Sequence, residues 1–405
     1  MSVMEQDSAG APARASLMND PKVRGIFYQV VTVAALVLFG YFIVSNTIAN
    51  LERQNIASGW GFIENTAGFG TNQSLVDYSE SSSYGRAIYV GFLNTLLVAI
   101  VGIFFATVIG FVIGIARLSD NWVISRIAYC YVELVRNIPL LLQIFFWYFA
   151  VLRAIPGKRD KWSFFFDSVH LNIGGLRLPK PIWEPGSAWI GYAFIIGIVA
   201  SFFVSKWARK RQDETGRQFP MFWTGLGLII GLPIITYLVT GMPMHLEHPN
   251  FVETGPILRR GFELNVGINV IPEFLALTAA LSIYTASFIA EIVRAGIQAV
   301  NHGQTEAAHA LGLRQSPTLR LVIIPQAMRV IIPPLTSQYL NLTKNSSLAV
   351  AIAYPDLVSM GGTVLNQTGQ AIEIIGIWMA VYLSLSLITS AFMNWYNQRM
   401  ALVER

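Results

Sequence analysis

The sequence predicts an all-α integral membrane protein of about eight transmembrane helices, and three observations carry that reading. Of the 405 residues, 54% are hydrophobic and only 13% charged, with a mean hydropathy of +0.51, where soluble chains carry about 25% charge. So much apolar surface cannot be hidden in one soluble core, so lipid is the natural solvent. Apolar runs of the length that crosses a bilayer core, about 20 residues, recur along the chain. Basic residues also gather in alternate connecting loops, as they do in cytoplasmic loops. The same composition excludes disorder, and a single cysteine excludes a disulfide framework or a thiolate metal cage. A pI near 9.3 rests on a formal charge of only +5, which fits basic loops at a membrane better than nucleic acid.

Residues 1–25 form a polar Ala- and Ser-rich tail, read as cytoplasmic, with Arg14, Lys22 and Arg24 before the first apolar run. That run, 26–44, is long for a signal-peptide core and no small-residue cleavage pattern follows Val44, so it reads as an uncleaved anchor. Residues 26–86 thus comprise an extra first span and an outer loop, in which Trp60, Phe62 and Phe69 read as interface or docking aromatics. Further spans are expected at 88–116 and 127–152, within a segment 87–152, and at 188–205 and 220–240, within a segment 153–269 of outer loops and two extra spans. Spans at 272–298 and 374–394 belong to a last segment, 270–405.

An eighth span, about 335–353, is masked by Asn341, Lys344, Asn345, Ser346 and Ser347. Parity favours it. Both termini then lie inside, and Arg117, Arg126, the cluster Lys206, Arg209, Lys210 and Arg211, the stretch 299–333, Arg399 and Arg405 share that side. Ten of the 28 basic residues still fall in the opposing loops, 45–86, 153–187, 241–271 and 354–373. Long loops weigh less in the rule.

Several chemistries are missing from the sequence. There is no G-x-x-x-x-G-K-[ST] to cradle a phosphate, and no H-E-x-x-H, C-x-x-C or G-x-S-x-G. His245 and His248 lack an obvious third ligand, so no metal site is assigned.

The stretch 301–334 reads as a helix–turn–helix elbow on the basic side. Asn301 with Gln304 resembles a helix start, and Thr305 to Leu311 is strong helix former. Gly312 suits a left-handed terminator, Ser316-Pro317 an N-cap with first helical residue, and Pro325 a stop. Small Ala307, Ala308 and Ala310 let another backbone approach, and Glu306 offers a charge to a partner.

Glu306-Ala307-Ala308, three residues, Gly312, nine residues, then Val322-x-Ile324-Pro325 resembles the E-A-A-x3-G-x9-I-x-L-P signature of ABC-importer permeases. Only two apolar positions differ. Gly91 to Leu96, Glu133 to Gln143, Ala290 to Ile297 and Asn341 to Ala349 look like the polar amino-acid branch of that family. Within the branch the chain is most similar to the Q-type permease subunits of the general L-amino-acid transporters, with those of glutamate/glutamine/aspartate/asparagine transporters nearly as similar. The resemblance covers about 87–150 and 270–400. It implies a type I ABC-importer core in a bacterial inner membrane, with Glu306, Ala307, Ala308, Gly312 and Pro325 in a coupling helix that docks on an ATP-binding subunit. It further implies a second, distinct permease subunit, a periplasmic amino-acid-binding protein, and ATP and Mg held by the partner ATPase, with no cofactor in this chain.

Two groups of polar residues lie at membrane depth. Glu133 with Arg136, and Glu291 with Arg294, are three apart and share helix faces; each pair reads as a cytoplasmic gate or as ion pairing that fixes packing. Asn341, Lys344 and Asn345 share a face beside Ser346 and Ser347. Such a stripe lines either a substrate path or the contact with the second permease, because polar side chains cannot face lipid cheaply. An ion-coupled carrier would leave the elbow unexplained, and a membrane enzyme would need an acid, base or metal cluster that is not seen.

Overall fold

A computed structural model describes residues 21–53, 58–252, 261–263 and 266–400. The tail 1–20 with Arg14, and Arg405 at the other end, lie outside the described residues. The helices are α1 Pro21–Arg53, α2 Tyr84–Ala116, α3 Trp122–Asn137, α4 Leu140–Ala154, α5 Ala188–Thr215, α6 Met221–Val239 and α7 Pro272–Gln298. They continue with α8 His302–Ala310, α9 Gln315–Ile352, α10 Leu357–Thr368 and α11 Ala371–Met400. Among the described residues seven helices are long and apolar enough to cross a membrane, and eight if the bent pair α3–α4 counts as one. That is the multi-pass helical fold expected.

The core is built on α2. Its positions Val90, Asn94, Val98, Gly102, Ala106, Gly110 and Gly114 recur every fourth residue and are all buried. Spacing of four keeps them on one stripe, and small residues there let backbones meet without large side chains between them. Gly110 lies against Ala286 and Ile289, and Gly114 against Ala290 and Val293. Contacts that advance together along both helices make α2 and α7 parallel. α9 runs opposite to both: Gly102 faces Leu342, the Thr107 hydroxyl lies 2.8 Å from that of Tyr339, and Gly296 meets Ile331 and Ala327. The elbow helix α8 therefore projects from the end of the bundle where α2 finishes.

Two spans are irregular. Pro139 breaks the third, bending α3 against α4 by 106°; the buried Gln143 amide donates to the Val135 and Ile138 carbonyls at 2.8 and 3.0 Å, capping the cut end of α3. The masked span is longer than 335–353, because α9 begins at Gln315 and runs through Pro325, Pro333 and Pro334. Pro325 therefore does not stop the helix. A π-turn over Leu319–Ile323 precedes it, and a local widening of this kind accommodates a proline that cannot donate a hydrogen bond. The α9 cap is Arg314, two residues ahead of Ser316, so Pro317 falls at the third helical position, where its missing N–H has no intrahelical partner to lose.

The opposite end holds what were expected as loops. Residues 153–187 and 241–271 contribute to one antiparallel module: β1 Trp162–Phe164, β2 Val169–Asn172, β3 Gly175–Leu178 and β8 Ile268–Val270 form a sheet in the order β1-β2-β3-β8. β4 Lys180–Trp183 pairs with β5 Met244–Glu247, and β6 Phe251–Val252 with β7 Gly261–Phe262. Spans α5 and α6 are thus inserted between paired strands, and they pack on each other where Gly197 meets the Leu228–Ile229 backbone. Strands of two to four residues carry too little alternation to be read from sequence. Residues 58–83 are no free loop either. Phe62, 4% exposed, and Ala67 pack with Tyr84, Val90, Met360 and Ile374, and Phe69 packs against them. Of the aromatics read as interfacial, only Trp60 is exposed.

Candidate functional site

At the elbow, Asn301 accepts the Gly303 N–H at 2.8 Å and opens α8. Gly312, at φ +77°, closes it. The Leu313 N–H reaches the Ala308 carbonyl at 3.1 Å and the Gly312 N–H that of His309 at 2.9 Å, the paired bonds of a Schellman cap. Both ends of this nine-residue helix are therefore satisfied locally, and it holds its shape while projecting. Glu306, Ala307, Ala310 and Leu311 face outward. Ala308 does not: it is buried, in a helix that packs against the start of α9, so it is withdrawn from the docking face. Gln326 donates to Gln304 at 3.1 Å, tying α8 to α9. The Glu306 carboxylate lies 3.1 Å from His302 on the same exposed face.

The membrane-depth charges divide differently from the sequence pairs. Glu291 pairs with Arg294 as spaced, and also with Arg117 at the end of α2, whose side chain is only 10% exposed. Arg294 continues to Gln298 at 2.5 Å. One carboxylate thus joins α2 to α7 beside the elbow. Glu133 and Arg136 form no ion pair with each other among the described residues; Arg136 instead lies over the Phe288 ring at 5.0 Å. Sharing a helix face brought the α7 pair together but not the α3 pair, because the Arg136 chain finds an aromatic face across the helix contact. Arg117 was legible only as a loop charge, and its role needed the α2–α7 pairing.

On α9, Asn341 and Lys344 are exposed and Asn345 half-buried, on the shared face expected. Ser346 turns inward: it is 1% exposed and donates to the Thr343 carbonyl at 2.7 Å. Ser347 likewise donates to the Lys344 carbonyl at 2.7 Å. Both hydroxyl protons are committed to the backbone, so the exposed polar stripe is Asn341, Lys344 and Asn345. His245 lies 2.8 Å from Glu184, beside the β4–β5 pair.

A second polar group, noted in the sequence only within the resembling segment Gly91 to Leu96, pins the other end of α2. The Asn94 amide donates to the Gln73 and Pro355 carbonyls at 3.2 and 2.9 Å, and the Thr95 hydroxyl accepts the Leu357 N–H at 3.0 Å. Between those anchors lies Asp356, 1% exposed, which caps α10 by accepting the Ser359 N–H at 2.8 Å. Two polar residues inside the apolar 88–116 run were the available signal.

Comparisons with known proteins follow the same outline. The family model "Binding-protein-dependent transport system inner membrane component" matches residues 106–402. The chain is 55% identical over 390 residues to the "General L-amino acid transport system permease protein AapQ" of Rhizobium johnstonii, spanning 96% of this chain and 95% of that protein. It is 50% identical to the "Putative amino-acid ABC transporter permease protein YhdX" of Escherichia coli K12, over 95% of this chain and 96% of that protein. It is 40% identical to the "Glutamate/glutamine/aspartate/asparagine transport system permease protein BztB" of Rhodobacter capsulatus, over 96% of each. The match runs through the helical core, the elbow and the inserted spans alike, and the chain belongs to the family of inner membrane components of binding-protein-dependent transport systems.

Proposed function

We propose that this chain is the transmembrane permease subunit of an ATP-driven importer of L-amino acids in a bacterial inner membrane, with both termini in the cytoplasm. The observation that carries the reading is the elbow: a locally capped helix, exposed at Glu306 and Ala307, rooted between two core spans and bonded to one of them. Such an element passes an applied displacement to the bundle instead of absorbing it. A partner ATP-binding subunit takes the exposed face of α8, holds ATP and Mg, and drives the movement; this chain supplies no phosphate cradle. Motion entering α8 reaches α9 through Gln304–Gln326 and reaches α2 through α7 and the Glu291–Arg117 pair, so the bundle alternates its access. The relatives' names support L-amino acids as cargo.

A periplasmic amino-acid-binding protein delivers substrate at the strand-bearing face. A second, different permease subunit completes the pore, with Asn341, Lys344 and Asn345 either on the substrate path or at that subunit contact. Lys344 would meet a carboxylate and the amides either end of a zwitterion. The test is ATPase activity in complexes purified in mild detergent with this chain as bait, with and without loaded binding protein. Activity that co-purifies, rises with loaded binding protein and is lost in Glu306→Lys, while membrane insertion persists, supports the reading. Transport along an ion gradient by a chain that purifies without ATPase would overturn it.

A further inference from the structure

Asp356 lies outside the membrane-spanning helices, in the turn between α9 and α10, yet it is 1% exposed. α2 holds it from both sides, since Asn94 binds the preceding carbonyl and Thr95 the following N–H. Gly91 leaves room for the turn, because a Cβ there would sit 2.8 Å from the Asp356 carbonyl oxygen. The turn itself is made by Ala353, a non-glycine residue at φ +57°. Across the seam, Trp378 of α11 donates to the Leu357 carbonyl at 3.1 Å, and the Tyr382 hydroxyl, one helical turn further along α11, faces Asp356, Thr95 and Ser346.

Asp356 Oδ2 and the Tyr382 hydroxyl are both buried in this seam, and the Asp356 carboxyl is faced by Tyr382 and by the backbone N–H groups of Val358 and Ser359. With Asp356 ionised, a charge is buried among neutral donors without a counter-ion. With Asp356 protonated, the buried group is neutral and can itself donate to the Tyr382 oxygen. Among the described residues no Lys, Arg or His lies within ion-pair distance of Asp356. The titratable neighbours are phenols, Tyr354 and Tyr382. Glu273, beside the Phe274 ring that stacks on Tyr354, gives one oxygen to the Tyr148 hydroxyl at 3.0 Å. Glu373, nine residues ahead of Tyr382 and so about 13 Å along α11, takes the Gly59 N–H at 2.5 Å.

We propose that Asp356 and Tyr382 form a proton-binding site that holds the α2–α10–α11 seam closed, so that release of the proton from Asp356 frees the turn 353–357 from α2. Burial pushes the Asp356 carboxyl up to about 7, the direction expected for a carboxyl enclosed without a cation beside it. The sign follows by linkage. A carboxyl raised in the closed seam stabilises closure fully below its open-state pKa of about 3.9, and that stabilisation is lost as pH rises through about 7.

The test reads the seam itself, in the chain purified with its partner subunits, and does not depend on which substrate is carried. Amide exchange of the segment 354–368, corrected for base catalysis, reports seam opening, and infrared absorption reports the protonated carboxyl. Opening is expected to increase by up to about 100-fold between about pH 5 and about pH 7 and then level off, with the carboxylic-acid band fading over the same range. Asp356→Asn keeps the cap and a neutral side chain, so its opening should stay low and flat and its band be absent. Tyr382→Phe removes one hydrogen from the seam and should move the midpoint upward. A wild-type profile as flat as that of Asp356→Asn, an ionised carboxyl at every pH, or a profile set by sodium or potassium concentration instead of pH would each overturn the proposal.

Discussion

Replacing Gly110 by alanine tests whether α2 and α7 touch backbone to backbone. A Cβ at Gly110 would lie 2.6 Å from the Ile289 Cβ and Cγ2 and 3.1 Å from the Ala286 carbonyl oxygen. Carbon atoms pack best at about 3.5–4.0 Å, so the helices must part by about 1 Å there. The atoms struck are backbone or next to it and cannot rotate away. Overpacking of this kind costs about 1–3 kcal/mol, offset by about 1 kcal/mol of helix propensity gained over glycine. Gly114→Ala meets the same obstacle, with the Ala290 oxygen and Val293 Cβ each at 2.7 Å. Gly102→Ala meets only the tip of Leu342, at 3.2 Å, which can turn aside. Gly376→Ala in α11 meets nothing within 4 Å and should gain the propensity term alone. Unfolding midpoints of the four variants in detergent should therefore rank Gly376→Ala at or above wild type, Gly102→Ala near it, and Gly110→Ala and Gly114→Ala below. A Gly110→Ala protein as stable as Gly376→Ala would refute close α2–α7 contact and the parallel arrangement built on it.

At the charge cluster, Arg117→Ala should destabilise by about 1.5–3 kcal/mol, the range for a hydrogen bond to a charged group, because it removes the ion pair that ties the end of α2 to Glu291. Arg294→Ala breaks an i,i+3 pair within one helix and should cost about 0.2–0.5 kcal/mol; equal losses in detergent unfolding would contradict the inter-helix role of Arg117. Lys344→Ala should lower amino-acid uptake while the purified complex keeps its subunit stoichiometry, and loss of a subunit instead would place Lys344 at the permease contact. In the strand module, burial and then Lys161 hold the His170 imidazole below its ordinary value. A depressed histidine stabilises the folded module above about pH 6.5, and that stabilisation is lost as pH falls. Trp162 fluorescence should therefore report loosening on acidification, and His170→Phe should blunt it; an unchanged acid transition in that variant would assign the effect elsewhere.

The apolar runs and the elbow were legible because each is written locally. Twenty apolar residues must cross or bury, whatever surrounds them, and Asn301 and Gly312 act on their own backbone neighbours. The sequence by itself therefore determined the membrane class, the span count, the start and end of α8, and the one-faced stripe Asn341–Lys344–Asn345. Pro325 misled for the same reason: its local meaning is a stop, and only the run of α9 through the π-turn at 319–323 overrode it. What tertiary structure alone decided are contacts across long separations. Arg117 and Glu291 stand 174 positions apart and Leu357 and Thr95 262 apart, and no local pattern encodes such partners. The strands shared by 153–187 and 241–271 form because the α5–α6 hairpin returns one loop to the other. Ser346 and Ala308 face inward because helix packing, not residue type, selects which side of a short polar segment meets the bundle.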